Sequence, residues 1–368
     1  MKKNYFLLFV LSITLGFAQI PTGYYNSATG TGYTLKTNLR SIIANNTNSA
    51  SSQSSYGDLW TLYTNTAFRD HYYENNNSLL DIYSEKPNGP DSYEYTSTNQ
   101  QCGSYSGEGS CYNREHLMPQ SVFSSNYPMY SDAHFVVPSD GSVNGARGNY
   151  PFGIVSSPTY TSTNGSKKGN NLNTGYSAGY SSIVFEPINE FKGDVARALL
   201  YVATRYQNEV TGWSSFDMFN NTNNQVYTNT FLNILITWHN QDPVSAYEIA
   251  KNNAVYNFQN NRNPYIDHPE YVCQIWPTQC AALSTQDFVS LEEISVYPNP
   301  TNENRISIET EIALDEIQLI NLNGQLIQVI NKPAFNNNTY TLDNLPQGFY
   351  LLRLSSENQS VTKKILVN

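Results

Sequence analysis

Two hydrophobic periods divide this chain, and the change between them falls near residue 285. Beyond it, short apolar segments recur: Ile294 to Tyr297, Arg305 to Glu309, Ile317 to Asn321, Gln325 to Ile330, Thr339 to Leu342, Phe349 to Leu354 and Lys363 to Val367. Each reads as a strand. Asn323-Gly324 between apolar runs is a hairpin turn, and Pro346-Gln347-Gly348 marks another. Short strands at this spacing predict a small all-β sandwich over 290–368. That region has no histidine and no cysteine, so no chemistry is expected in it.

Ahead of the change the spacing is helical. Leu35 to Ile43 and Tyr56 to Phe68 carry apolar residues at helical intervals. Asp194 to Tyr206 places Val195, Ala198, Leu199, Val202 and Tyr206 on one face. Asp242-Pro243 reads as a helix start, with Tyr247, Ala250, Ala254 and Phe258 buried and Asn260 to Pro264 ending the helix. Asp81 to Ser84 reads as a short strand. The expected class is α+β: a mainly helical domain over 20–285, then the β-sandwich.

Residues 1–19 have the layout of a signal peptide. Lys2 and Lys3 precede an apolar run from Phe6 to Leu15, and Gly16-Phe17-Ala18 offers small residues for cleavage. The run is short for a bilayer span and no other segment is long enough, so the mature protein is expected to have none. In an exported chain the four cysteines imply disulfides, with three pairings open. Cys102–Cys111 and Cys273–Cys280 are the simplest. A zinc site is disfavoured because no Cys-x-x-Cys pair occurs.

The chemistry concentrates in three stretches: Asn113-Arg114-Glu115-His116-Leu117-Met118-Pro119-Gln120-Ser121, Ser131-Asp132-Ala133-His134-Phe135-Val136-Val137-Pro138, and Val143-Asn144-Gly145-Ala146-Arg147-Gly148-Asn149. A carboxylate beside an imidazole, followed by a carboxamide near an arginine, suits phosphodiester cleavage. Carboxylate and carboxamide oxygens hold a hard cation, and an imidazole takes a proton from water. Leu117-Met118 and Phe135-Val136-Val137, each closed by a proline, read as a hairpin connected by Gln120 to Asp132. A helix from about Asp140 to Arg147 would set Asn144 and Arg147 nearly in line. The result is β-β-α. Neighbours on a strand face opposite ways, so Glu115 and His116 are expected to divide the labour.

This arrangement resembles the endonuclease I family of ββα-metal (His-Me finger) nucleases over about residues 55–275. The marks are Cys102-Gly103-Ser104-Tyr105, Glu108-Gly109, Asn113-Arg114-Glu115-His116, Pro119-Gln120-Ser121, Asp132, Pro138, Asn144, Arg147, Asn149 and Phe152-Gly153. Phe185-Glu186-Pro187, Lys192-Gly193-Asp194, Ala196-Arg197-Ala198, Trp238-His239, Gln259 and Asn261-Arg262-Asn263-Pro264 follow in order. The tail resembles the C-terminal sorting domain of type IX secretion cargo through Val296-Tyr297-Pro298-Asn299-Pro300, Asn323-Gly324, Leu345-Pro346-Gln347-Gly348-Phe349-Tyr350 and Lys363-Lys364-Ile365-Leu366-Val367.

The resemblances imply a secreted endonuclease with the type IX machinery as partner. Glu115 and Asn144 would ligate one Mg²⁺, with Mn²⁺ or Ca²⁺ as alternatives. His116 would be the general base, and the products would carry 5′-phosphates. No Lys or Arg lies between Arg114 and Arg147, so one of those two would face the phosphate. Lys192, Arg197 and Arg262 are candidate phosphate contacts, with solvated or ion-paired roles equally open. Asp132, His134, His239 and His268 read as structural. The formal net charge is −10, which opposes tight binding to nucleic acid. The expectation is weak, salt-sensitive binding by a monomer to DNA, and also RNA, without sequence specificity. An inactive binding protein on this fold, or a phosphodiesterase of small esters, is the alternative.

Overall fold

The computed structural model describes residues 20–46, 55–284, 294–310, 312–321, 323–356 and 359–368. The expected signal peptide lies outside them. The chain divides into two units, Met1–Leu283 and Ser284–Asn368. Among the described residues no helix is long and apolar enough to cross a membrane.

The first unit runs α1 (Gly32–Asn46), α2 (Leu59–Leu62), β1 (Tyr112–His116), β2 (Val136–Asp140), α3 (Gly141–Arg147), β3 (Val155–Thr161), β4 (Lys167–Asn171), β5 (Ile183–Glu186) and α4 (Lys192–Arg205). Then come α5 (Asn229–Gln241), α6 (Ala246–Gln259), α7 (Pro264–Asp267), α8 (Tyr271–Ile275) and α9 (Pro277–Ser284). It combines helices with strands: β1 and β2 form one antiparallel pair, and β3, β4 and β5 form a three-stranded sheet.

Helix α4 is the axis of this unit. All its residues are buried, the charged ones included, so it has no solvent face at all. A helix enclosed on every side needs internal partners for its polar groups. Arg197 Nε and Nη2 donate to Glu248 of α6, each at 2.6 Å. Arg205 Nη1 donates to Asp132 at 2.6 Å.

Two local expectations are corrected. Helix α6 starts at Ala246, where Ser245 and Glu248 form a capping box, rather than at Asp242-Pro243. The Asp242 carboxylate instead accepts Gly193 N–H at the start of α4, at 2.7 Å, and its carbonyl accepts Arg197 Nη1. Tyr247 and Ala254 are buried as expected, but Ala250 and Phe258 are half-buried. Asn260, in the left-handed conformation, closes the helix. Asp81 to Ser84 is a turn, not a strand: Asp81 Oδ1 accepts Tyr83 N–H at 2.9 Å. A short acidic side chain bonding the backbone two residues on competes with sheet pairing.

The second unit is all β. Its strands are β6 (Ser295–Tyr297), β7 (Ile306–Glu309), β8 (Glu316–Asn321), β9 (Leu326–Asn331), β10 (Thr339–Leu342), β11 (Gly348–Ser356) and β12 (Gln359–Val367). They form two antiparallel sheets, ordered β10-β7-β6 and β12-β11-β8-β9. Alternate residues of both sheets meet in one core: Ile306 and Ile308 from one, Ile317, Leu319, Leu352 and Leu354 from the other. All seven expected strands form, and the last begins earlier than expected because it pairs with β11 along its whole length. Gly324 takes the positive φ (76°) that the β8–β9 turn requires.

Candidate active site

β1 and β2 pair antiparallel, with Glu115 opposite Val137 and His116 opposite Val136. The first strand ends at His116 instead of running through Leu117-Met118. Those two residues are buried just past it, so their apolarity reflects the core and not a strand. Pro138 lies inside β2, opposite Arg114. A two-stranded sheet consists of edges, and an edge position tolerates a residue without an N–H.

Helix α3 begins where β2 ends. Asp140 Oδ1 caps it through Val143 N–H at 2.8 Å, and Oδ2 accepts Tyr95 O–H at 2.6 Å and Gly109 N–H at 2.8 Å. Asp140 N–H in turn donates to Asp81 Oδ2 at 2.7 Å. The strand-to-helix corner is thus fixed from three sides. Cys102 and Cys111 are bonded, as are Cys273 and Cys280. The loop closed by the first bond carries Tyr105, whose hydroxyl occupies the space a β-carbon on Gly145 would need. Gly145 therefore lets this loop lie directly on α3.

Between the loop, β1 and α3 opens a cleft of about 360 Å³, lined among others by Arg114, Glu115, His116, Asn144 and Arg147. Although they are neighbours on a strand, Glu115 and His116 both reach it. Glu115 is buried, and Oε1 takes Tyr83 O–H at 3.0 Å and lies 3.2 Å from Arg147 Nη1. Burial pushes the Glu115 carboxyl up to about 7, against the opposing pull of Arg147. Asn144 Nδ2 donates to Asn113 Oδ1 at 2.7 Å, which turns the carboxamide so that its oxygen is the remaining polar atom.

His116 is held differently. Its Nε2 lies 3.1 Å from the Tyr130 carbonyl oxygen, and its ring stacks with those of Tyr130 and Tyr56. Burial pushes the imidazole down to about 4, so the ring is neutral at pH 7. A carbonyl only accepts, so the single ring proton sits on Nε2 and the lone pair on Nδ1.

A model of the endonuclease I family matches residues 31–270. The chain belongs to the endonuclease I family. An extracellular ribonuclease of Bacillus subtilis (strain 168) is 32% identical over 259 residues, which is 69% of this chain and 78% of that protein. The extracellular ribonuclease of Bacillus amyloliquefaciens matches to the same extent. The secretion system C-terminal sorting domain matches residues 295–368. The chain is a secreted nuclease, a phosphodiester hydrolase, exported by the type IX route.

The nuclease uses its two cleft arginines unequally. Arg147 is 1% exposed and donates to the carbonyls of His116 and Leu117 at 2.7 and 2.6 Å. It clamps the end of β1 to α3. Arg114 is only half-buried. Its guanidinium lies over the Tyr56 and Trp60 rings, 3.4 and 4.2 Å from their centroids, and donates to the Tyr56 carbonyl.

The three further candidate cations are not on the cleft wall, and of the roles open to them the ion-paired one is what the structure shows. Lys192 is bonded to Glu186 and Asn189, Arg197 to Glu248, and Arg262 to Asp267 and Asn253. All three are buried, which leaves them no approach to a polymer. His134 Nε2 donates to the Asn261 carbonyl, and Asp132 gathers Arg205, Tyr206 and Gln259, so both are structural. The sequence reading missed Tyr83, Tyr56 and Tyr130, which frame Glu115 and His116 from distant segments. Only Asn113 carried a local signal, since it opens the Asn113-to-His116 motif.

Proposed function

We propose that the first unit is a non-specific endonuclease cutting DNA and RNA with a histidine general base and one divalent ion. The observation that carries this reading is the neutral His116, whose proton faces Tyr130 and whose Nδ1 lone pair is left for water.

The ligands of the ion would be Glu115 and Asn144. Their donor set, one carboxylate and one carboxamide oxygen, matches what Mg²⁺ takes beside its waters. Tyr83 and Arg147 hold the carboxylate, and Asn113 holds the carboxamide. Mn²⁺ and Ca²⁺ also accept such oxygens. Once bound, the ion would supply positive charge at the scissile phosphate and at the departing 3′-oxygen. His116 takes a proton from water as the water oxygen bonds to phosphorus. The bond from phosphorus to the 3′-oxygen breaks, that oxygen takes a proton from solvent water and ends as a hydroxyl, and the phosphate stays on the 5′ side. Arg114, steadied on two aromatic faces, is the cation assigned to the phosphate oxygens.

Substrate binding is weak and salt-sensitive, because the chain is acidic and many of its cations are consumed internally. Contacts to backbone rather than base edges give little sequence discrimination. The names of the two relatives support RNA as a substrate beside DNA.

The test is digestion of supercoiled plasmid and of RNA by the mature protein, in Mg²⁺ and in EDTA, beside His116→Ala. The substitution is expected to slow both reactions by roughly 10²–10⁴-fold, and EDTA to stop them. Wild-type protein that leaves both polymers intact in Mg²⁺, Mn²⁺ and Ca²⁺ would refute the reading.

A further inference from the structure

A second group of carboxylates stands outside the cleft lining. One oxygen from each of Asp70, Glu74 and Glu85 lies within 4.8 Å of the other two. Asp70 and Glu85 are buried, at 0% and 1% exposure. Asp70 is wrapped by its own loop, accepting the N–H groups of Tyr72, Tyr73 and Asn75. Glu85 is the more telling residue. Its Oε1 is buried and takes no hydrogen bond from any donor among the described residues, and the same holds for Glu74 Oε2.

The charges around Glu85 deepen the problem. The charged groups that act on it most strongly are Asp91, Glu74 and Asp70. The strongest charged influences on Glu85 are all acidic. Buried carboxylates without donors or counter-charge are costly, and a cation shared between them removes that cost.

We propose that Asp70, Glu74 and Glu85 bind one calcium ion, separate from the ion of the cleft. Oxygens lying within 4.8 Å of one another can share a calcium shell, where oxygens about 2.4 Å from the ion lie up to roughly 5 Å apart. A magnesium shell is tighter, about 4.2 Å across, and keeps most of its waters. Three acidic side chains, two of them buried, favour the larger ion that sheds water more readily. Extracellular calcium modules typically bind with dissociation constants of roughly 10⁻⁴–10⁻³ M, and this chain is exported.

The site also has a structural reach. Glu85 ends the Asp81 turn, its N–H bonding to the Asp81 carbonyl. That turn sends Asp81 to Asp140 and Tyr83 to Glu115. The calcium therefore anchors the segment that positions the carboxylate of the cleft.

The experiment uses the mature full chain carrying Asn144→Ala, so that the cleft no longer competes for the ion. Calcium per chain is counted by equilibrium dialysis, and the thermal midpoint is read in EDTA, in excess Mg²⁺ and in excess Ca²⁺. One calcium per chain and a rise of roughly 5 °C are expected, with a smaller response to Mg²⁺. Adding Glu85→Gln or Glu74→Gln should abolish both the bound calcium and the rise. Glu74→Gln, at a half-buried position, serves if the other variant folds poorly. No bound calcium, an equal rise with Mg²⁺, or a calcium response that survives both substitutions would overturn the proposal.

Discussion

The interiors of the two units are built on opposite terms. The nuclease unit buries Arg197 with Glu248, Arg205 with Asp132, Arg262 with Asp267, Lys192 with Glu186 and Arg147 with Glu115. The sorting unit buries Ile, Leu, Val and one Tyr in a single core, and its Arg305–Glu303 pair lies at the surface. One interior is therefore directional, satisfied only when distant partners meet. The other is satisfied by area alone. An acidic nuclease thus keeps many of its cations inside, holding its own helices rather than its substrate.

The largest expected effect tests that directional interior. Arg197→Met preserves bulk but leaves Glu248 buried without its partner, and should cost about 3–5 kcal/mol. All four tryptophans lie before residue 285, so tryptophan fluorescence in urea follows the nuclease unit. An unchanged midpoint would break the contrast.

Acid probes the same interior next. His239 faces the Pro269 carbonyl through Nε2, and burial, then Arg197, pushes its ring down to about 4. An unfolded histidine titrates near 6.5, so between the two values the unfolded chain binds the extra proton and acid favours unfolding. Wild type should lose ground to His239→Gln by about 1.4 kcal/mol per pH unit as pH falls from 6.5 towards 4. Urea midpoints of the two proteins across that range check the slope. The sorting unit has no histidine and offers no such group.

The smallest effect is at the surface. Arg305 and Glu303 meet at 2.9 Å but are 58% and 66% exposed. Arg305→Ala should shift the sorting-unit transition, followed by circular dichroism, by about 0–1 kcal/mol. A larger loss would mean that the sandwich too depends on charge.

The same division explains what could be read from the sequence. The strands of the sorting unit were visible because period-two alternation is local, and both sheets use it. Helix α3 was visible because Asp140 caps it and Arg147 ends it within one short stretch. β1 was displaced because Leu117 and Met118 fill the core from beyond the strand's end. Asp242 misled for a related reason: it is a good cap, but for the backbone of α4 rather than for its own helix. For Lys192, Arg197 and Arg262 the choice between phosphate contact and ion pair stayed open because a cation's partner can lie far along the chain. Arg197 and Glu248 are 51 positions apart, and no local pattern shows such a pairing. Glu115, His116, Asn144 and Arg114 could be named because motif context brings them together, whereas Tyr83 and Tyr56 reach the cleft from segments with no motif.

The bond between Cys102 and Cys111 has a consequence of geography. It fastens the loop that walls the cleft through Tyr105 and Gly145. Such bonds form in oxidising compartments and are kept open in the cytoplasm. The last piece of the cutting surface is thus secured only after the chain has left the compartment that holds its maker's own nucleic acids.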